Sequence, residues 1–368
     1  MTATTYLHPD RIFDGQALRA GYVAVQNGTV SALLDTLPAG TNPETLRGTL
    51  TPGYLDLQVN GGADALVNTS PTAAAMQTIA AAHRRFGTVG VLPTVITDAP
   101  EVLDAAAEAA LQAHGRPGIL GLHIEGPHLS VARRGTHAAR FIRPFDQRTL
   151  AIVQRLRAAQ VPVMITVAPE GVSPGDIAAL VKTGAVVSLG HSDTTAEHVR
   201  ACLTEGATCF THLYNAMSPM LNRTPGVTGA CINSTAYTGI ICDGIHVADE
   251  MVALALRARP LPDTTFLVSD SMSTVGGSDH FTLYGNEIRL VNGRLVNAEG
   301  SLAGAHITMA ESVVRLINVL HIDPAAALRM ASTIPARVIG RNPGLIGQSL
   351  HDLLLLNPDW TVAKTGLA

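Results

Sequence analysis

Side chains that could bind a metal or move a proton stand where short apolar runs of this chain end. His191 follows the run at residues 186–190, and the pattern recurs at six further positions: Gln58, Asn60, Glu125, His212, His246 and Asp270. Such runs, rich in β-branched residues, are typical of buried parallel strands. Because the carboxyl ends of the strands of a parallel barrel meet at one face, these residues are expected to build one site there.

Glu125, His191 and His212 have the composition of a metal site. One carboxylate and two imidazoles with an open fourth position match a catalytic zinc centre. The intervals of 66 and 21 residues are too long for one helix or loop, so the fold must bring the three together. Each residue alone has an ordinary alternative, a hydrogen-bonded core histidine or a solvated glutamate. Together, at strand ends, they predict one bound divalent metal, with zinc as the expected ion.

Asp270 and two amides near the first strand complete the predicted centre. A carboxylate beside a metal-activated water can accept a proton and return it to a leaving group. The alternative, a helix N-cap, fits poorly because residues 272–277 do not look helical. Gln58 and Asn60 stand where barrel hydrolases often place two histidines. Amides are poor zinc ligands, so this pair predicts one metal and not two.

Three residues beyond the strands are candidates for substrate contacts. His137 could donate a hydrogen bond to a carbonyl under attack, and an ordinary surface histidine is the equal alternative. Arg223 and His246 suit an anionic group, although a solvated side chain is the default for Arg223. His123 shares a strand face with Glu125 but lies deeper, so a structural or supporting role is expected.

The rest of the sequence supplies the elements that would position these residues. The predicted strands are 53–60, 89–96, 119–125, 161–168, 186–191, 207–212, 238–243 and 265–270. The predicted helices are 72–86, 100–114, 147–159, 174–183, 195–205, 248–258, 306–320 and 324–335. This alternation implies right-handed βαβ units, and eight strands fit an α/β fold with a TIM-like (β/α)8 barrel at residues 51–340. The missing glycine-rich fingerprint after the first strand argues against a dinucleotide-binding sheet.

Both ends of the chain show short strand patterns. The Asn27-Gly28 pair is a hairpin signal in the first of them. We therefore expect residues 1–50 and 341–368 to pair into one small β domain.

Composition limits the possible functions. Hydrophobic residues make up 46% of the 368 residues and charged residues 15%, which excludes a disordered protein, and the net charge of −4 gives no basic field for nucleic acid. The apolar runs are too short for a membrane span, and the first residues lack a signal-peptide pattern. The four cysteines show no CxxC spacing, so a reduced, cytoplasmic protein is expected.

Nine segments, taken in order, carry a resemblance to a known family. They are TPGYLDLQVNGG (51–62), HIEGPHLS (123–130), RGTHAARF (134–141), LGHSDTT (189–195), THLYNAM (211–217), NRTPG (222–226), CDGIHV (242–247), LVSDSM (267–272) and LAGAHITM (302–309). With these segments the chain resembles the N-acetylglucosamine-6-phosphate deacetylase family of the amidohydrolase superfamily. The matches run almost from end to end, so they are specific as a set.

The resemblance implies both an architecture and a reaction. It implies a TIM-like barrel with a small β-sandwich domain built from both termini. It also implies that Glu125, His191 and His212 bind one divalent metal per subunit, that Asp270 is the general acid and base, and that His137 polarises the carbonyl. The implied reaction converts N-acetylglucosamine-6-phosphate to glucosamine-6-phosphate and acetate.

The resemblance further implies a set of substrate contacts and a homodimer. His246 and Arg223 would contact the phosphate and the sugar, with Arg223 reaching into the site of the neighbouring subunit. The backbone around Asn215 and Ala216 would also bind substrate, as would the loop of Leu302, Ala303 and Gly304.

Three departures from the family pattern are expected to lie beside the pocket and to affect the choice of sugar. They are His128 in place of an aromatic residue, Thr136 in place of alanine, and Ser271 in place of alanine. The alternatives are an N-acetylgalactosamine-6-phosphate deacetylase, a cyclic amidase of the dihydroorotase type, and a non-catalytic binding protein on the same scaffold. The absence of His-x-His and of an obvious bridging lysine argues against the cyclic amidase. The retention of every ligand and of the acid/base argues against the binding protein.

Overall fold

The two ends of the chain combine in one β sheet. The computed structural model describes residues 4–298, 300 and 302–367, and in it this sheet has seven strands. They are β1 (Thr5–Phe13), β2 (Leu18–Arg19), β3 (Tyr22–Gln26), β4 (Thr29–Leu34), β5 (Glu44–Pro52), β19 (Leu353–Leu356) and β20 (Val362–Thr365). Their main order is β20-β19-β5-β1-β3-β4, with β2 paired to β1. Asn27 and Gly28 join β3 to β4 with both residues at positive φ (52° and 70°), the geometry that two-residue hairpins favour.

The middle of the chain forms a parallel barrel, which confirms the predicted fold class. Its strands are β6 (Tyr54–Val59), β9 (Thr88–Ile96), β10 (Leu122–Glu125), β11 (Val163–Val167), β12 (Val186–Leu189), β13 (Cys209–Phe210), β14 (Tyr237–Ile240) and β15 (Thr265–Leu267), hydrogen-bonded in chain order. The segment after β15 pairs with β6, the first strand of the barrel, and so closes it. The N–H of Asp270 donates to the carbonyl oxygen of Gln58 at 3.0 Å, and Val59 and Ser271 form a parallel bridge. This closure places Gln58 beside Asp270 at the carboxyl end of the barrel.

Helices cover the outside of the barrel. They are α1 (Ala73–Arg84), α2 (Pro100–Ala113), α3 (Gln147–Ala158), α4 (Asp176–Lys182), α5 (Ala196–Thr204), α6 (Gly226–Ile232), α7 (Asp249–Ala258), α8 (Met309–Asn318), α9 (Pro324–Leu328) and α10 (Ile334–Val338). Ile79 and Val153 of the helices share one apolar core with Ile124 and Val187 of the strands. Among the residues described, no helix is long and apolar enough to cross a membrane.

Helix α6 is absent from the predicted elements. Its sequence, GVTGACI, combines two glycines with β-branched residues, all of which have low helix propensity. Every residue of this helix is buried, so tertiary packing and not intrinsic propensity holds it in place.

A three-stranded antiparallel sheet between β15 and α8 is also absent from the predicted elements. A separate two-stranded ladder of β7 (Gly61–Gly62) and β8 (Ala65–Leu66) directly follows β6. The three-stranded sheet consists of β16 (His280–Leu283), β17 (Asn286–Val291) and β18 (Arg294–Val296). The Asn292-Gly293 pair that joins β17 to β18 is a hairpin signal that could have revealed it. Its buried Ile288 and Leu295 belong to one apolar cluster with Ile96 and Met272, both of which line the cavity at the barrel mouth.

Candidate active site

Glu125, His191 and His212 converge at the carboxyl end of the barrel. Glu125 Oε1 lies 3.1 Å from Nε2 of each histidine, and the two Nε2 atoms are 3.0 Å apart. Glu125 ends β10, whereas His191 and His212 stand two residues beyond β12 and β13. All three side chains are buried. The three possible ligand atoms thus lie around one point, called the vertex below, as the strand-end pattern predicts.

Local backbone geometry aims the two histidines at this vertex. Both have positive φ (49° for His191 and 32° for His212), a conformation that a non-glycine residue adopts only when its surroundings impose it. The Nδ1–H of His191 donates to the carbonyl oxygen of Arg133 at 2.9 Å, which leaves the Nε2 lone pair free for a ligand bond. Among the described residues, Nδ1 of His212 has no hydrogen-bond partner.

The three residues fit a divalent metal ion. Three corners of a tetrahedral zinc site with bonds of about 2.0–2.1 Å are separated by about 3.3 Å, close to the 3.0–3.1 Å observed. Burial alone would raise the pKa of Glu125, but the hydrogen bonds and charges of the two imidazoles hold that pKa well below its usual range. An ionised carboxylate together with two imidazoles is a donor set found in catalytic zinc sites.

Asp270 lies next to this vertex and is held by the two amides. Its Oδ1 accepts hydrogen bonds from Asn60 Nδ2 at 2.8 Å and from Gln58 Nε2 at 3.1 Å. Gln58 Nε2 also donates to Glu125 Oε1 at 3.1 Å. Burial and the charge of Glu125 raise the pKa of Asp270 to about 6. The amides act as hydrogen-bond donors that hold two carboxylates in place.

His137 reaches the same cavity from the loop after β10, with its ring centroid 4.4 Å from that of His191. Its Nδ1 accepts the backbone N–H of Thr97 at 3.3 Å and lies 2.8 Å from the Thr97 hydroxyl oxygen. Burial lowers the pKa of His137 to about 3, which favours the neutral ring. Because Nδ1 accepts the Thr97 N–H, the proton of the neutral ring is on Nε2. Thr97 is absent from the predicted site residues, although it follows β9 at the same kind of strand end as the others.

His246 lines the cavity and is fixed by Asp243. Its Nδ1 lies 2.6 Å from Asp243 Oδ2, while Asp243 Oδ1 accepts the backbone N–H groups of Ile245 and His246, both at 2.8 Å. Burial would raise the pKa of Asp243, but the hydrogen bond and charge of His246 outweigh burial and lower it. Asp243 is absent from the predicted site residues, although it stands in the quoted CDGIHV segment three positions before His246.

The other predicted contacts divide into three groups. Residues that line the cavity, whose volume is 160 Å³, include Asn215, Ala216, Leu302 and Gly304. Ala303 is buried beneath this lining. Arg223 is exposed and outside the lining, so within one subunit the structure does not bring it to the site.

Two of the three departures from the family pattern do not belong to the cavity lining. His128 is buried, with Nδ1 donating to Arg143 O at 3.1 Å and Nε2 accepting from the Thr149 hydroxyl at 3.0 Å. Ser271 is buried against His83, at 3.2 Å from its Nε2. Thr136 alone of the three lines the cavity. Ser271 stands between Asp270 and Met272, which both line the cavity, so it lies beside the pocket without lining it.

A parallel barrel whose mouth gathers imidazoles, carboxylates and hydrogen-bond donors has the architecture of the barrel hydrolases. Residues 49–348 match the amidohydrolase family, and the chain belongs to that family. The family is hydrolytic, so the chain is an enzyme, which decides against a non-catalytic binding protein.

The sequences of individual relatives align with most of this chain. The N-acetylgalactosamine-6-phosphate deacetylase of Shewanella sp. (strain ANA-3) is 39% identical over 87% of this chain and 82% of its own length. The N-acetylglucosamine-6-phosphate deacetylase of Haemophilus influenzae is 34% identical over 86% and 84%. The crystal structure of N-acetylglucosamine-6-phosphate deacetylase from Pasteurella multocida superimposes with a TM-score of 0.91 at 30% identity, covering 99% of this chain and 98% of that one.

Proposed function

We propose that this enzyme hydrolyses the acetamide of N-acetylglucosamine-6-phosphate to glucosamine-6-phosphate and acetate with the help of one divalent metal. The observation that carries the proposal is the position of Asp270 beside the vertex formed by Glu125, His191 and His212. Relatives named as deacetylases of phosphorylated N-acetyl amino sugars support the substrate class.

The metal would be held by Glu125 Oε1 and by Nε2 of both His191 and His212, and zinc suits this donor set best. When bound, such an ion supplies the positive charge that acidifies a water molecule and polarises a carbonyl. The amides at Gln58 and Asn60 argue for one ion per subunit, because they already donate to the carboxylates of Glu125 and Asp270.

Asp270 would move the proton. Its Oδ1 is engaged by two amide donors, which leaves Oδ2 to accept a proton from the attacking water. The water oxygen forms a bond to the acetyl carbon, and the C–N bond then breaks. Asp270 returns its proton to the departing nitrogen, so the products are acetate and the amine. His137, neutral with its proton on Nε2, donates a hydrogen bond to the carbonyl oxygen as negative charge develops there.

Substrate recognition would combine groups of one subunit with a group of a second. His246 offers its Nε2 to the sugar phosphate, and Asn215, Ala216, Leu302 and Gly304 line the same cavity. Arg223 is exposed, and the exposed apolar side chains of Met220 and Leu221 precede it in the same loop, a surface that suits contact with a second copy of the chain. In a homodimer, this arginine would reach the phosphate in the neighbouring site. The four cysteines are free and buried, which suits a cytoplasmic enzyme.

The second candidate substrate is N-acetylgalactosamine-6-phosphate, favoured by the 39% identity to the Shewanella enzyme. One panel tests both proposals: acetate release from the 6-phosphates of N-acetylglucosamine and N-acetylgalactosamine and from the two sugars without phosphate. Metal content is measured on the same preparation. We expect roughly one equivalent of zinc per chain, and rapid acetate release only from phosphorylated sugars. No acetate release from any of the four compounds by the zinc-loaded enzyme would contradict the proposed function.

A further inference from the structure

Arg133 contacts the segment of His191 at two points. Its carbonyl oxygen accepts the Nδ1–H of His191 at 2.9 Å, and its guanidinium Nε donates to Asp193 Oδ1 at 2.7 Å. Arg133 therefore bridges His191 and Asp193, which are two residues apart in the chain: its backbone holds the imidazole and its side chain holds the carboxylate. Neither Arg133 nor Asp193 lines the cavity.

The 192–193 segment is fixed on its other side by Glu170, which lies in the connection after β11. Glu170 Oε1 accepts the backbone N–H of Asp193 at 2.7 Å, and Oε2 accepts the Ser192 hydroxyl at 2.6 Å. The backbone of Asp193, whose carboxylate pairs with Arg133, is therefore held by the connection after β11.

The loop that Arg133 belongs to, residues 130–137, carries His137 at its end. At its start, the N–H of Ser130 donates to the carbonyl oxygen of His191 at 2.9 Å. At its end, the ring of His137 packs edge-on against that of His191. The orientation of His191 and the position of His137 thus depend on the same short loop.

His191 needs such external restraint because its backbone has φ 49°, which an unrestrained residue would leave. Hydrogen bonds to the second nitrogen of a metal-binding imidazole commonly change metal affinity 10- to 100-fold. We propose that Arg133 and Asp193 are positioning residues for the metal centre. Their ion pair holds the 130–137 loop against the 191–193 segment, so that Nε2 of His191 faces the vertex and His137 stays beside it. The proposal rests on the metal site of the proposed function, and it adds residues that touch neither metal nor substrate.

Zinc release from the loaded enzyme tests this proposal directly. The variants are Arg133→Gln, Asp193→Asn and the charge reversal that combines Arg133→Asp with Asp193→Arg. The measurement is the rate of zinc transfer to a chromophoric chelator in excess. We expect each single variant to release zinc about tenfold faster than the wild type, and the reversal to recover most of the difference.

Thermal unfolding of the metal-free variants separates positioning from general stability. The two side chains are 36% and 45% exposed, and an ion pair this exposed contributes little to overall stability, so the melting temperature should not change. Arg148→Gln is the matched control, because Arg148 pairs with Asp104 at comparable exposure (45% and 44%) between the outer helices α2 and α3. Its zinc release should equal that of the wild type.

Each outcome has a separate meaning. Unchanged zinc release in both single variants overturns the positioning role, and so does faster release that the Arg148 control shares or that follows a lowered melting temperature. A wild type that retains zinc but releases no acetate contradicts the proposed function and leaves the positioning role standing. A wild type that binds no divalent metal overturns both.

Discussion

Asp243 Oδ2 lies 2.6 Å from His246 Nδ1, and both side chains are more than nine-tenths buried. The carboxylate accepts the Nδ1–H of the imidazole, which leaves Nε2 available to a ligand in the cavity. Charge-assisted hydrogen bonds of this kind are stronger than neutral ones. Under the proposed function, in which His246 contacts the phosphate, Asp243 would act on substrate affinity through His246.

Asp243→Asn should weaken substrate binding more than it slows chemistry. We expect KM for the phosphorylated sugar to rise about tenfold, which corresponds to about 1.4 kcal/mol, with kcat reduced less than threefold. Steady-state kinetics measures both. Asp249→Asn is the control. Asp249 begins α7, shortly after the Asp243–His246 segment, pairs with Arg315 of α8 and does not line the cavity. A fall in kcat at constant KM would argue against a binding role for the pair.

Asp270→Asn should lower turnover by about 10²- to 10⁴-fold, the usual contribution of a positioned general acid or base. Asparagine keeps the shape of the side chain, and Asp270 is not one of the three ligand residues, so zinc content should equal that of the wild type. Acetate release and elemental analysis of the same preparation check the two expectations. Glu125→Gln provides the contrast, since it should lose both zinc and activity. Near-normal turnover in Asp270→Asn would remove Asp270 from the proposed mechanism.

The activity should depend on pH through Asp270. The base must be ionised to accept a proton, and its pKa is raised to about 6, so kcat/KM should fall as the pH drops through that value. A bound cation favours the ionised carboxylate, which places this acid limb at or below pH 6 in the loaded enzyme. The pH profile of kcat/KM should approach a slope of one on its acid side. An identical limb in the residual activity of Asp270→Asn would assign the titration to another group.

His137→Gln should lower kcat about 10²- to 10³-fold with zinc content unchanged, as expected for the loss of one oxyanion donor. The pKa of about 3 keeps His137 neutral through the assay range, so its removal should not shift the acid limb. Thr97→Val removes the hydroxyl contacts with His137 Nδ1 at 2.8 Å and with Glu125 O at 3.4 Å but retains the backbone N–H bond to His137, so a decrease of a few-fold is expected. Equal losses in the two variants would indicate that loop structure, and not the imidazole proton, is being measured.

The sequence predicts the barrel well because its signal is local. Each buried strand is a short apolar run, and a polar residue such as His191 marks where that run ends. The same rule could have identified Thr97, which follows β9 in the same way. Arg133 could not be found by this rule, because its carbonyl oxygen orients His191 and a backbone acceptor carries no residue identity. The placement of Arg223 outside the cavity likewise depends on a loop path that spacing does not encode.

Beneath the site, a chain of buried hydroxyls makes a prediction for stability. Thr211 Oγ1 lies 2.7 Å from both Thr166 Oγ1 and Ser188 Oγ, and Thr166 Oγ1 lies 2.8 Å from His123 Nε2. Thr211→Val keeps the shape but removes the central link, leaving two buried hydroxyls with fewer partners. We expect a loss of about 1–3 kcal/mol in the free energy of unfolding, measured by urea denaturation of the metal-free protein. Thr208→Val, the same change at an exposed position three residues earlier, should be close to neutral. Equal stability of the two variants would show that the hydroxyl chain does not stabilise the barrel.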